Sequence, residues 1–167
     1  MNRKDNRIII YTDGACKGNP GPGGYGIIMT LENNPYRKEF SKGFRLTTNN
    51  RMELLAIIDA LKKVKRKNAD IVIVTDSKYV SDAINKGWLE KWKMRAFKRI
   101  KNPDLWKELD RLLQQHQVQF VWLKGHNGHP ENEKCDRLAV KAASAPANKL
   151  NIDKGYEQPP DTPPSLF

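Results

Sequence analysis

Two short β-branched runs, at residues 7–12 and 71–75, carry no polar alternation, the pattern of strands buried on both faces. Each closes on Thr-Asp followed by a small residue, as Thr12-Asp13-Gly14 and Thr75-Asp76-Ser77. Residues 25–31 and 37–45 read as an antiparallel pair joined through Glu32-Asn33-Asn34-Pro35, preceded by a Gly/Pro-rich turn over 18–24. Leu54, Ile57, Ile58, Leu61 and Val64 recur at helical spacing and predict a helix over 50–66. Ser77 to Asn85 predicts a short helix, and Asn102-Pro103 starts another whose stripe is Leu105, Leu109, Leu112 and Leu113. Val118, Phe120 and Trp122 alternate with Gln117 and Gln119 in a last strand. Pro130 opens a final helix with Cys135, Leu138, Ala139 and Ala142 inward. Beyond Ala145 the periodicity stops. Half of the 10 prolines fall after that point, so the expectation is one domain over 1–145 and an extended or disordered tail over 146–167.

Charge sharpens this α/β outline. The 167 residues carry 30 Lys and Arg against 19 Asp and Glu, a net charge of +11, which attracts polyanions and makes nucleic acid the first partner to consider. Two cysteines, Cys16 and Cys135, stand in no metal-like spacing and suit a reducing compartment. No apolar run approaches the ~20 residues that span a bilayer. The expectation is a cytoplasmic protein without a membrane partner.

Against that basic background four carboxylates stand in distinctive frames. Asp13 and Asp76 end two central strands, where open α/β sheets place ligands, although Asp-Gly and Asp-Ser also punctuate ordinary turns. On adjacent parallel strands the two charges would meet, which is costly without a cation. Glu53 follows Asn50 by three residues, a spacing that also fits a capping box. Asp136 sits one turn before the inward Ala139, at the border of the core. Oxygen donors alone suit Mg²⁺, with Mn²⁺ as a substitute, better than Zn²⁺. His126 and His129 flank a Gly-containing loop. A zinc pair there lacks further ligands, and a loop histidine beside carboxylates suits proton transfer. From Lys86 to Lys101, seven cations and one acid interleave with Trp88, Trp92 and Phe97. Such a run is often a solvated face, but aromatics among cations fit a nucleic-acid surface.

These residues together resemble bacterial type 1 ribonuclease H, from about residue 7 to 145. The resemblance rests on Tyr11-Thr12-Asp13-Gly14, the Gly18–Gly26 loop, Thr47-Thr48-Asn49-Asn50-Arg51-Met52-Glu53, Thr75-Asp76-Ser77-Lys78-Tyr79 and the stretch from Lys124 to Asp136. It implies an RNase H-like fold: a mixed five-stranded sheet, three antiparallel strands then two parallel ones, with helices on both faces. It implies a monomeric endoribonuclease that hydrolyses the RNA strand of RNA–DNA hybrids by metal-dependent in-line attack of water, leaving 5′-phosphate and 3′-hydroxyl ends. By the same resemblance Asp13, Glu53, Asp76 and Asp136 hold Mg²⁺, and His126 is the loop histidine. Cys16, Asn19, Thr48, Asn49, Asn50 and Lys78 are then substrate contacts, and Trp88, Trp92, Lys93, Arg95 and Lys98 form a basic protrusion over the DNA strand. Lys78 departs from the glutamine common there, exchanging a two-way amide for a donor-only cation. The alternatives are a non-catalytic hybrid-binding module and a DNA-acting nuclease or integrase of the same fold.

Overall fold

The computed structural model describes residues 7–125 and 128–157. Strands β1 (Ile8–Cys16), β2 (Gly21–Leu31), β3 (Asn34–Thr47), β4 (Asp70–Thr75) and β5 (Gln117–Trp122) form one sheet in the order β3-β2-β1-β4-β5. The β1–β2 and β2–β3 pairs are antiparallel, and the β1–β4 and β4–β5 pairs are parallel. The unalternated runs therefore occupy inner positions of the sheet. Ile8, Ile10, Ile71 and Ile73 are buried, while Ile9, Tyr11, Val72 and Val74 on the other face are only partly buried, so the expected burial on both faces is met on one.

The pleat assigns the two faces. On β2, Gly23 and Ile27 point to the side of α1 (Asn49–Lys62), while Gly24 and Gly26 point to α5 (Pro130–Ala143). A Cβ on Gly26 would stand 2.3 Å from the Cys135 carbonyl, and one on Gly24 2.6 Å from that of Ala139. Helix α5 thus rests on bare β2 backbone. The glycine-rich stretch expected as a turn is for this reason partly strand. The core between α1 and the sheet holds Ile10, Ile27, Met52, Leu54, Ile57 and Ile73, all fully buried. Trp106 of α4 (Pro103–Leu113) is equally buried and meets Trp92 and Tyr79 edge-on at 5.0 and 5.5 Å.

Several boundaries differ from the periodicity. Strand β1 continues past Asp13, which pairs with Gly26, because extended pairing with β2 persists where burial of one face ends. Helix α1 stops at Lys62, with only Val64 still partly buried beyond it. Trp122 is 44 % exposed, so the alternation of β5 ends at Phe120. Helix α3 (Trp88–Met94) had no readable apolar stripe among its cations. It follows α2 (Lys78–Asn85) through Gly87 at φ 76°.

The largest correction concerns the chain after Ala145. A short 3-10 turn at Ala147–Lys149, a bridge from Asn151 to Phe44 and helix α6 (Lys154–Glu157) lie against the body. Asp153 is buried there and takes Arg51 Nε at 2.7 Å and Thr47 Oγ1 at 2.8 Å. This buried ion pair, with Arg45–Glu157 and the bonds of Asn151 to Gly43, holds the segment and is invisible to periodicity. Residues 158–167, with the Pro-rich motif, lie outside the described residues.

Candidate active site

Parallel pairing sets Thr12 opposite Thr75, so the next residues, Asp13 and Asp76, emerge side by side. Helix α1 crosses β1 at Gly14, where a Cβ would come within 2.7 Å of Glu53 N and 2.9 Å of Met52 Cβ. The missing side chain lets the helix approach and brings Glu53 to Asp13. Carboxylate oxygens of Asp13, Glu53 and Asp76 all lie within 4.8 Å of one another. Asp136 of α5 lines the same cavity of about 370 Å³, with Asn49, Asn50, Ser77 and Lys78.

Local bonds hold these groups. Asp13 accepts from the Gly14 N–H at 2.9 Å. Ser77 Oγ caps α2 by accepting from Val80 N, and Ser77 N donates to Thr75 Oγ1 at 3.0 Å, which turns the chain sharply at Asp76. Trp122 Nε1 donates to the Asp76 carbonyl at 3.2 Å, and a Cβ on Gly125 would lie 3.2 Å from Asp76 Oδ2. Sequence reasoning missed this role for Trp122, since alternation assigned its ring to the core. The capping-box reading of Glu53 also falls: the cap of α1 is Thr48, whose Oγ1 accepts from Arg51 N.

Crowding of carboxylates governs the electrostatics. Burial, then the charge of Asp76, pushes the Asp13 carboxyl up to about 8, with Asp136 adding to the push. Burial, followed by the charges of Asp13 and Asp76, raises Glu53 well above its ordinary value. Glu53 Oε2 is buried without a hydrogen-bond partner among the described residues. A buried unpaired acceptor beside two like charges is unfavourable by several kcal/mol unless a cation neutralises it. The donors are all carboxylate oxygens, which fits a hard divalent ion. The cluster can therefore hold a metal ion through Asp13, Glu53 and Asp76, with Asp136 on the same wall.

The remaining expected residues fall into distinct settings. Asn49 and Asn50 are exposed at the cavity's edge, and Asn49 N donates to Asn19 Oδ1 at 3.1 Å, which ties the 17–20 loop to α1. The Cys16 thiol donates to carbonyls of Gly18, Gly21 and Thr47 at 3.3–3.4 Å, and burial raises its pKa, so it stays protonated. Trp88 is 38 % exposed with Lys86 Nζ 5.6 Å from its ring centre. Trp92 turns inward onto Trp106, so packing occupies it. Lys93 pairs with Asp110 at 3.1 Å, whereas Arg95 and Lys98 are exposed and line a separate surface hollow. His126 lies outside the described residues. His129 caps α5, its Nδ1 accepting from Asn132 N.

The family pattern of RNase H matches residues 5–144. Ribonuclease H of Rippkaea orientalis is 52 % identical over 165 residues, covering 94 % of this chain and 99 % of its own. That of Desulforamulus reducens is 54 % identical over 150 residues, covering 87 % and 92 %. Among solved structures, LC9-RNase H1, a type 1 RNase H, superposes with a TM-score of 0.76 at 33 % identity, over 91 % of this chain and 79 % of that one. LC11-RNase H1 in complex with RNA/DNA hybrid matches with a TM-score of 0.61 at 26 % identity, over 81 % and 96 %. The match in fold, in nearly full length and in sequence shows that this chain belongs to the ribonuclease H family.

Proposed function

We propose that this protein is an endoribonuclease that hydrolyses the RNA strand of RNA–DNA hybrids, leaving 5′-phosphate and 3′-hydroxyl ends. The observation that carries the reading is the cluster of buried Asp13 and Glu53 with half-buried Asp76, open to a cavity rimmed by Asn49, Asn50 and Lys78. Asp13, Glu53, Asp76 and Asp136 would hold Mg²⁺, or Mn²⁺ in its place, which supplies Lewis acidity toward water and the scissile phosphate. Without such a charge the three acids repel a phosphate. Asn49 and Asn50 present short amides that can sense 2′-hydroxyls across a minor groove, and Lys78 offers a cation to a phosphate. His126 is assigned to proton movement or product departure.

The DNA strand would run over Trp88 and the cations Arg95 and Lys98. Lys93 contributes less, because Asp110 already neutralises it. The two cysteines are unpaired thiols, which supports work in a reducing cytoplasm.

The test is a substrate panel with Mg²⁺: a labelled RNA–DNA hybrid, duplex DNA, duplex RNA and single strands. Cleavage confined to the RNA of the hybrid is expected. Cleavage of duplex DNA with the hybrid left intact would overturn the reading. Binding of the hybrid without cleavage of any substrate would reduce it to a binding module.

A further inference from the structure

Asp13 and Glu53 are buried, whereas Asp76 is half-buried. Crowded like charges push apart, so the most exposed of the three needs a restraint. That restraint lies in the backbone. Two rigid peptide planes meet at the Asp76 Cα and set the direction of its side chain. The first is held by the end of β5, where Leu123 N donates to the Thr75 carbonyl at 2.9 Å. The second is held at both of its ends. Ser77 N donates to Thr75 Oγ1 at 3.0 Å, and Trp122 Nε1 donates to the Asp76 carbonyl at 3.2 Å. Trp122 stands opposite Thr75 in the parallel register, which brings its indole to the next carbonyl along.

Burial does not account for that indole, which is 44 % exposed beside an equally exposed Val121. A tryptophan placed for its area is covered, as Trp106 is. What the ring supplies at position 122 is its N–H. The chain then passes over the carboxylate, so that a Cβ on Gly125 would stand 3.2 Å from Asp76 Oδ2 and 3.8 Å from Asp76 Cβ. Residues 122–125 thus grip Asp76 from the carbonyl side and from the carboxylate side.

We propose that Trp122 is a positioning residue of the cation site: its indole N–H holds the Asp76 carbonyl and so keeps the Asp76 carboxylate turned toward Asp13 and Glu53 against their charge. The inference rests on the assignment of this cluster as a Mg²⁺ site. A group that orients a ligand from behind acts on metal affinity and on turnover, and leaves the grip on the nucleic acid unchanged. The lining of the cavity does not include Trp122, so a direct contact with substrate is a different reading with a different kinetic signature, a raised KM.

The experiment uses the full chain with benzothienylalanine at position 122, the same fused ring with sulfur in place of the N–H. Its control carries a fluorotryptophan there, which keeps the N–H. Mg²⁺ is titrated against each protein and followed by the rise in Tm, which reads the cation site without any substrate. Cleavage of an RNA–DNA hybrid then gives kcat and KM. The benzothienyl protein should need roughly tenfold more Mg²⁺ for half of the rise in Tm, and should lose about tenfold in kcat at subsaturating Mg²⁺. Its KM for the hybrid should stay within about twofold of the parent's. Trp122→Phe should follow the benzothienyl protein, and the fluorotryptophan protein should match the parent throughout. The proposal is overturned if the benzothienyl and fluorotryptophan proteins need the same Mg²⁺. It is equally overturned if the loss falls on KM alone, which would make Trp122 a substrate contact. A parent that takes up Mg²⁺ but leaves the hybrid intact would sink the functional reading, while the Mg²⁺ titration still decides the role of Trp122.

Discussion

Replacing Asp13 by Asn should stabilise the metal-free protein while abolishing its chemistry. Asp13 is 5 % exposed, beside Glu53 and Asp76, and its pKa is pushed up to about 8 from an ordinary 3.8. Between those values the folded chain keeps a proton that the unfolded chain releases, so stability falls as pH rises through the window. At about 1.4 kcal/mol per pH unit this withholds up to about 4 kcal/mol at neutral pH. Asn keeps the size and the bond from Gly14 N without the charge. Glu53 and Asp76 still repel each other, so a gain of about 2–3 kcal/mol is expected, or roughly 5–10 °C in Tm for a chain of this length. The assay is thermal unfolding in EDTA from mildly acidic to mildly alkaline pH, repeated with Mg²⁺. The gain should shrink toward acid, where the parent's carboxyl is protonated in both states. Mg²⁺ should raise the parent's Tm more than the variant's. An Asn variant no more stable than the parent in EDTA at neutral pH would refute the claim that these acids are held together against their repulsion.

Asp153→Ala should cost about 3 kcal/mol in urea unfolding by removing three bonds from Arg51 and Thr47. Arg51→Ala should cost about 4 kcal/mol because it strands a buried carboxylate, and the double variant should lose less than the sum. Gly14→Ala should slow hybrid cleavage at least tenfold and destabilise by about 1–3 kcal/mol, since its Cβ would meet backbone of α1. Parent-like turnover in that variant would show that the close approach is not what delivers Glu53. Neutralising Arg95 and Lys98 together should flatten the salt dependence of hybrid binding by up to about 2 in logarithmic slope, whereas Lys93→Ala should change it little. Equal slopes for both variants would remove the distinction drawn from the Asp110 pair.

The sheet and its helices were legible because burial on two faces and on one stripe leave different periods in the sequence. Asp13, Asp76 and Glu53 were legible because each follows a strong local signal, a strand end or a helix start. The meeting of Asp13 and Asp76 was legible as well, from the adjacent parallel strands expected of the two runs; what no local pattern encodes is the close approach at Gly14 that brings Glu53 to them. Thr48 rather than Asn50 caps α1, because a cap is chosen by backbone direction as well as by residue type. The segment from 146 to 157 escaped notice because long-range contacts anchor it, the buried pair of Arg51 with Asp153, the Arg45–Glu157 pair and the bonds between Asn151 and Gly43. Trp92 and Trp122 show the opposite error, an aromatic expected on the surface turning in and one expected inside remaining half exposed.

The central claim is that three crowded carboxylates form one cation site that serves cleavage of the RNA strand. Single-turnover cleavage of a labelled RNA–DNA hybrid, by the parent and by Asp13→Asn, with Mg²⁺ and with EDTA, tests it most directly. The parent should cut the RNA strand in Mg²⁺, leaving 5′-phosphate ends, and be silent in EDTA. The folded Asp13→Asn protein should be silent in both. Cleavage by the parent in EDTA, or substantial cleavage by Asp13→Asn in Mg²⁺, would contradict the account.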